Sequence, residues 1–164
     1  MLIRPAHLDD AVTIGNITVA AYQDGGHLSA GSPYEATLRD VGPRVDFTVV
    51  AEVDFDVAGA ATITPNTHQL TGIAREDEWE IRFVAVSQPL WGTGLGRALI
   101  EACEQRAHDA GATAVVLRVI DINERGLGFY GRLGYVRTPE RDWSPETDPS
   151  IRLLAFRKAL PAAT

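Results

Sequence analysis

One stretch constrains the whole chain: Glu80-Ile-Arg-Phe-Val-Ala-Val-Ser-Gln-Pro-Leu-Trp-Gly-Thr-Gly-Leu-Gly-Arg-Ala-Leu-Ile-Glu-Ala-Cys103. Ile81, Phe83, Val84 and Val86 form a β-favouring apolar run, closed by Pro89, which cannot donate to a sheet ladder. After the glycines, Leu95, Leu99, Ala102 and Ala110 recur at helical spacing, with Arg97, Glu101, Glu104 and Arg106 left for the wet side. A strand that passes through a glycine turn into a helix aims unpaired backbone N–H groups at one point, with the positive end of the helix dipole behind them. That is an anion site, most naturally for phosphate.

The phosphate carrier can be narrowed by exclusion. Trp91-Gly-Thr-Gly-Leu-Gly96 lacks the Gly-Lys-Ser/Thr ending of a nucleotide-triphosphate loop, and its G-x-G-x-G spacing is not the dinucleotide fingerprint. Val84-Ala85-Val86, Pro89, Gly92-x-Gly94-x-Gly96 and Leu99 together resemble the acyl-CoA-binding motif of the GNAT N-acetyltransferases, whose loop cradles the CoA pyrophosphate. Trp91 stands where that family usually has Arg or Gln, with Gly94 and Gly96 in register. Asn123-Glu-Arg-Gly-Leu-Gly-Phe-Tyr-Gly-Arg-Leu-Gly-Tyr135 resembles the family's C-terminal segment, in which an Asn begins a helix and Phe-Tyr precedes Leu-Gly-Phe or Leu-Gly-Tyr.

The resemblance implies a cosubstrate, acetyl-CoA, and a reaction, direct acetyl transfer to a primary amine in a ternary complex without an acyl-enzyme. It implies cofactor contacts from Val84, Ala85, Val86, Trp91 to Arg97 (Gly92, Thr93, Gly94, Leu95 and Gly96 between them), Asn123 and Tyr130. Such chemistry needs a neutral amine, stabilisation of the carbonyl oxygen and a proton for the departing thiolate. Glu80, on the central strand just before the turn, is the expected general base. Tyr130 aligns with the family's tyrosine at the CoA sulfur; a phenol, with a reference pKa of about 10, is protonated at neutral pH and suits the acid. Carbonyl polarisation would come from backbone N–H groups near Val84 and Val86, where the family's central strand bulges. Asn123 is equally readable as a helix N-cap. An alternative of a different class is a non-catalytic acyl-CoA-binding or regulatory module that keeps the cradle; Trp91 fits it, while Glu80 and Tyr130 favour an enzyme.

At 164 residues the chain fits one domain, expected over residues 1–160, with a tail at 161–164. A hydrophobic content of 45% with 23% charged residues is globular composition, so global disorder is excluded. The net charge of -7 argues against nucleic acid and favours a cationic acceptor. No apolar run reaches the roughly 20 residues that span a bilayer, and the N-terminus lacks a signal-peptide core, so no membrane and a cytoplasmic location are expected. Cys103, the single cysteine, gives neither a disulfide nor metal-ligand spacing; it reads as a small core residue, and no metal is expected. The partner is a small-molecule or peptide amine; a homodimer stays open.

The expected fold is α/β: a mixed sheet of about seven strands with about four helices, in the order β-α-α-β-β-β-α-β-α-β-β. Leu2–Pro5 reads as an edge strand, Leu8–Tyr22 as a helix with its stripe on Ala11, Ile14, Ile17 or Thr18, and Ala21, and 33–41 as a short second helix. In the family the region between these helices walls the acceptor site. Tyr22, Asp24, His27, Tyr34 and Glu35 are candidates there, and Glu78 and Trp143 are further substrate-contact candidates. Phe47–Val53 and Asp56–Thr64 read as a hairpin, with Gly59 at a bulge or close-packing position. Pro65–Asp77 is polar and patternless, with His68 exposed. Trp79–Val86 is the central strand, Gly111 a helix C-cap, Ala114–Ile120 a buried strand parallel to it, and 123–134 the Asn123 helix. Tyr135–Arg137 and Ile151–Phe156 complete the sheet.

Overall fold

A computed structural model describes residues 1–162; Ala163 and Thr164, half of the expected tail, lie outside the described residues. Seven strands and four α-helices follow one another along the described chain in the expected order. They are β1 (Leu2–Pro5), α1 (Ala11–Asp24), α2 (Tyr34–Arg39), β2 (Thr48–Val53), β3 (Asp56–Pro65), β4 (Glu78–Val86), α3 (Leu95–Asp109), β5 (Ala114–Ile120), α4 (Glu124–Arg132), β6 (Val136–Arg137) and β7 (Leu153–Ala159). The sheet order is β1-β2-β3-β4-β5-β7-β6. β4 and β5 pair in parallel over Glu78–Glu80 and Ala114–Val116, whereas β1–β2, β2–β3, β5–β7 and β6–β7 are antiparallel.

The chain divides into two compact units. The first comprises Met1–Ile63 and Arg82–Gln105. Its core contains Ile14, Val41, Val50 and Ala60 in one cluster and Val19, Leu28, Leu38 and Phe83 in another. The β2–β3 register slips between Ala51 and Glu52, which makes Ala58 the extra residue of a bulge beside Gly59. A Cβ on Gly59 would meet Leu95 Cδ2 at 2.7 Å and the Ala85 carbonyl at 3.1 Å, so Gly59 is both bulge neighbour and close-approach point. The hairpin tip carries positive φ at Asp54 (52°) and Phe55 (69°), and Phe55 is 98% exposed.

The second unit comprises Thr64–Ile81 and the chain from Arg106 onward. β5 is buried along Ala114–Leu117 because it has neighbours on both edges and a continuous apolar sequence. Gly111, at φ 87°, closes α3, with the Ala112 amide on the Ala107 carbonyl at 2.9 Å. Gly134 closes α4 at φ 94°.

Several boundaries differ from expectation. Leu8–Asp10 is a turn of 3₁₀ helix, since Asp10 turns its carboxylate back to the His7 amide at 2.7 Å, and α1 starts after it. The final strand runs Leu153–Ala159 rather than 151–156: Trp143 bridges to Leu153, and Arg157 pairs with Val116 despite its charge. On α3 the inner stripe is Leu95, Leu99, Ile100, Cys103 and Ala107, leaving Ala102 half-buried and Ala110 exposed. His68 is half-buried rather than exposed, because its Nδ1 accepts the Leu70 amide at 3.0 Å.

Candidate functional site

The glycine turn belongs to the first unit. A short 3₁₀ turn at Gln88–Leu90 leads from β4 to Trp91, and Gly92 and Gly94 take φ of 79° and 91° before α3 begins at Leu95. Such values are cheap only for glycine. A Cβ at either position would meet nothing within 4 Å, so the space above the turn is open and the requirement for glycine is conformational. The residue between them is committed to the turn: Thr93 Oγ1 donates to the Leu90 carbonyl at 2.6 Å. The first amides of α3 have no carbonyl one turn earlier in the helix to receive them. An exposed, glycine-lined helix start with open space above it fits a pyrophosphate.

The side chains around the turn are arranged differently from expectation. Trp91 Nε1 donates to the Val86 carbonyl at 2.7 Å, tying the turn to the end of β4 and occupying one lone pair of a main-chain group expected to meet the pantetheine arm. Arg97 is exposed and pairs with Glu101 one helical turn on, at 2.8 Å. Ala85 is buried, and Val84 and Val86 are half-buried. Within β4, Phe83 adopts φ 56°. That left-handed value departs from extended geometry one residue before Val84, while burial still alternates along Ile81–Val86.

The acceptor candidates of the first unit fall into one neighbourhood. Tyr22 meets His27 edge-to-face at 5.9 Å and packs against the cluster containing Phe83. Burial raises the Tyr22 phenol above its usual range and lowers the His27 imidazole below its own. Tyr34, at the start of α2, is exposed. Glu35 pairs with Arg39 at 3.0 Å, and Asp24, the last residue of α1, is exposed.

In the second unit, Glu80 is 1% exposed, and its two carboxylate oxygens accept the amides of Gly72 (2.6 Å) and Ile73 (2.9 Å). Glu78, also buried, takes Arg141 at 2.7 Å, Arg157 at 2.8 Å and the Arg75 amide at 2.8 Å. Burial opposes its charge, yet the bonds from Arg141, Arg157 and the Arg75 amide prevail and hold the carboxyl below the ordinary range. Glu78 is therefore the centre of an ion network rather than an open substrate contact. Tyr130 is buried on α4, edge-to-face with Phe129 (5.0 Å) and Tyr135 (5.8 Å). Asn123 is the α4 N-cap, its Oδ1 accepting the Gly126 amide at 2.9 Å. Trp143 is half exposed, with the Arg118 guanidinium 5.4 Å from its ring.

Sequence reasoning missed the amides of Gly72 and Ile73, which no residue letter announces, and the guanidinium of Arg44, which is buried against Phe83.

A mixed seven-stranded sheet with a glycine turn opening the helix after its central strand defines an α/β protein with an exposed helix start at the end of that strand. The chain belongs to the acetyltransferase (GNAT) family, whose sequence pattern matches residues 16–135. It is 27% identical over 144 residues to an uncharacterized N-acetyltransferase of Chlorobaculum tepidum, covering 88% of this chain and 80% of that one. Two solved structures share the fold. The yncA acetyltransferase of Salmonella typhimurium, solved with acetyl-CoA, has a TM-score of 0.72 at 19% identity over 98% of this chain and 94% of that one. The paia N-acetyltransferase of Thermoplasma acidophilum, in complex with coenzyme A, has a TM-score of 0.72 at 15% identity over 94% and 96%. Among the described residues no helix is long and apolar enough to cross a membrane, and no group of three or more His, Cys, Asp or Glu side chains could hold a metal ion.

Proposed function

We propose that residues 1–160 form a single N-acetyltransferase domain that moves the acetyl group of acetyl-CoA directly to a primary amine. The observation that carries this reading is the pair of positive-φ glycines, Gly92 and Gly94, at the exposed mouth of α3 in a chain of this family. Acetyl-CoA would supply a thioester; the backbone of the turn would hold its pyrophosphate, and the main chain of Val84 and Val86 its pantetheine arm. The left-handed Phe83 supports that role, because a residue off the extended conformation re-aims the strand amides next to it.

Glu80 is the proposed base. Its two amide bonds leave lone pairs on a carboxylate that offers about four, so a water can relay the proton of the ammonium to it. Tyr130 is the proposed acid for the thiolate, held in orientation by Phe129 and Tyr135. Asn123 acts here through its cap, which fixes the start of the helix that carries Tyr130.

A second reading, an acyl-CoA-binding module without efficient chemistry, draws on the engagement of Glu80 with backbone amides and of Trp91 with Val86. Two measurements separate them. Acetyl-CoA at a hundredfold excess over its dissociation constant stabilises the fold by about 2.7 kcal/mol in either case. Thiol release with an amine panel then appears only for the enzyme, and Tyr130→Phe lowers it by about 10²-fold or more without loss of acetyl-CoA binding. Stabilisation without thiol release would select the module; no stabilisation would remove both.

A further inference from the structure

Glu78 and Glu80 stand two residues apart on β4 and both are buried, so their carboxylates leave the same face of the strand. The segment after β3 hangs on this pair. The amides of Gly72 and Ile73 donate to Glu80, and the amide of Arg75 donates to Glu78. Arg141 joins the two halves of the arrangement. From the 3₁₀ turn Pro139–Arg141 its guanidinium grips Glu78 with both terminal nitrogens, Nη1 donating to Oε1 at 2.7 Å and Nη2 to Oε2 at 3.3 Å. The same Nη1 donates to the Ile73 carbonyl at 3.4 Å. Ile73 is thus held from both sides, its N–H by Glu80 and its carbonyl by Arg141. The Arg141 side chain is 9% exposed, and its Nε is buried with no hydrogen-bond partner among the described residues. Glu78 and Ile73 therefore orient the fork, and saturation of its own donors does not.

Resting on the reading of Glu80 as general base, we propose that Arg141 is a positioning residue for it. By fixing Ile73 from the carbonyl side, Arg141 keeps the Gly72 and Ile73 amides on the Glu80 carboxylate, and so determines which lone pairs are left for the water that relays the proton. Loosening of residues 72–73 takes donors from an anion that is 1% exposed and has little solvent to replace them, and such a carboxylate gives up a proton less readily. Lysine at position 141 keeps the charge on a chain one bond shorter and without the fork; it satisfies Glu78 and leaves the Ile73 carbonyl. The charged groups around the pair are Glu78, Arg141 and Arg157, with the Arg118 guanidinium in the space a Gly72 Cβ would take. Arg157 donates to Glu78 through Nε at 2.8 Å and has no bond to Ile73 among the described residues, which makes it the matched control.

The test compares the full chain with Arg141→Lys, Arg157→Lys and Glu80→Gln. In Arg141→Lys, hydrogen exchange at the Gly72 and Ile73 amides should be about tenfold faster. In the same variant kcat for thiol release at saturating amine should fall by about tenfold, and its alkaline-rising limb should move to higher pH. Acetyl-CoA affinity should stay within about twofold of wild type, since the glycine turn contains none of these residues. Arg157→Lys should match wild type in exchange at the two amides and in the position of the limb. Unchanged exchange at Gly72 and Ile73 in Arg141→Lys would overturn the proposal. Faster exchange with an unmoved kcat profile would do the same, because the role would then be structural alone. Equal losses in Arg157→Lys would trace the effect to the Glu78 network at large and also overturn it. The base reading fails on a different measurement: a wild-type kcat profile in Glu80→Gln, or no thiol release from wild type, removes Glu80 as base and this proposal with it, and the exchange rates tell that failure apart from one of Arg141 itself. If Arg141→Lys does not fold by circular dichroism, Arg141→Gln takes its place and is read against the same outcomes.

Discussion

The indole Nε1 of Trp91 and the carbonyl oxygen of Val86 are 2.7 Å apart, so the side chain that replaces the usual Arg or Gln of the motif closes onto the end of its own strand. Trp91 thus acts as a brace between β4 and the glycine turn. Trp91→Phe keeps the apolar ring and removes the donor. The expected loss is about 1 kcal/mol of stability, measured by denaturant unfolding, with acetyl-CoA affinity changed by less than about threefold, because the cradle is made of backbone. A tenfold loss of affinity at unchanged stability would show the indole itself touching the cosubstrate.

Gly94 tests the cradle directly. At φ 91° with open space around the missing Cβ, Gly94→Ala suffers conformational strain and no clash. The cost is about 1–2 kcal/mol. The turn can relieve it by moving toward negative φ, which re-aims the amides at the start of α3. Acetyl-CoA affinity, measured by calorimetry, should fall by tenfold or more while helix content by circular dichroism stays the same. Wild-type affinity in this variant would remove the turn from the binding site.

The distinction between a backbone partner and a side-chain partner explains what was legible in the sequence. Ala114–Ile120 reads as a buried strand because every letter in the run is apolar except Arg118, and the strand has those bounds. Gly111, Gly134 and Asn123 announce helix ends through side-chain properties that only those ends require. By contrast, positive φ at Phe83 falls on a buried residue whose side chain does not favour it, so packing imposes it, whereas at Asp54 and the exposed Phe55 the two-residue hairpin turn does. The polar segment Pro65–Asp77 reads as structureless, yet it contributes two amides on Glu80 and one on Glu78, and an amide is common to every non-proline residue. Arg44 escapes for a related reason: its partners are carbonyls, so no acidic residue in the sequence points to its burial.

Glu80→Gln follows from that geometry. A carboxylate accepts on both oxygens, whereas an amide side chain presents one acceptor and one donor. One of the Gly72 and Ile73 N–H groups then faces an NH₂ group and is left unpaired beside the buried Glu80 side chain. Stability should fall by about 1–3 kcal/mol, and hydrogen exchange should accelerate at the amide left unpaired. Protection lost at only one of the two amides would assign which oxygen the glutamine retains; protection kept at both would sink the anchor role. If Glu80 is also the base, the alkaline-rising limb of the pH–rate profile shifts or vanishes in this variant.

Glu78 carries a pH dependence whose sign can be worked through. Burial opposes ionisation, but the bonds from Arg141, Arg157 and the Arg75 amide hold the folded-state carboxyl below its unfolded value. As acid is added, the unfolded chain takes up this proton first, so stability falls with falling pH. The contribution is fully present above the ordinary glutamate value of about 4.3 and is lost as pH drops through the lower folded value. Asp10 adds to the same slope, its carboxyl lowered first by the hydrogen bond from Arg4. Glu78→Gln removes the anion from between two arginines. It should cost about 3 kcal/mol at pH 7, the scale for breaking a buried ion pair. It should also flatten the dependence of unfolding free energy on pH between about 5 and 3, followed by urea titration across that range. Equal slopes for wild type and variant would mean that Glu78 ionises alike in both states, and the buried network would then lose its place as a source of acid sensitivity.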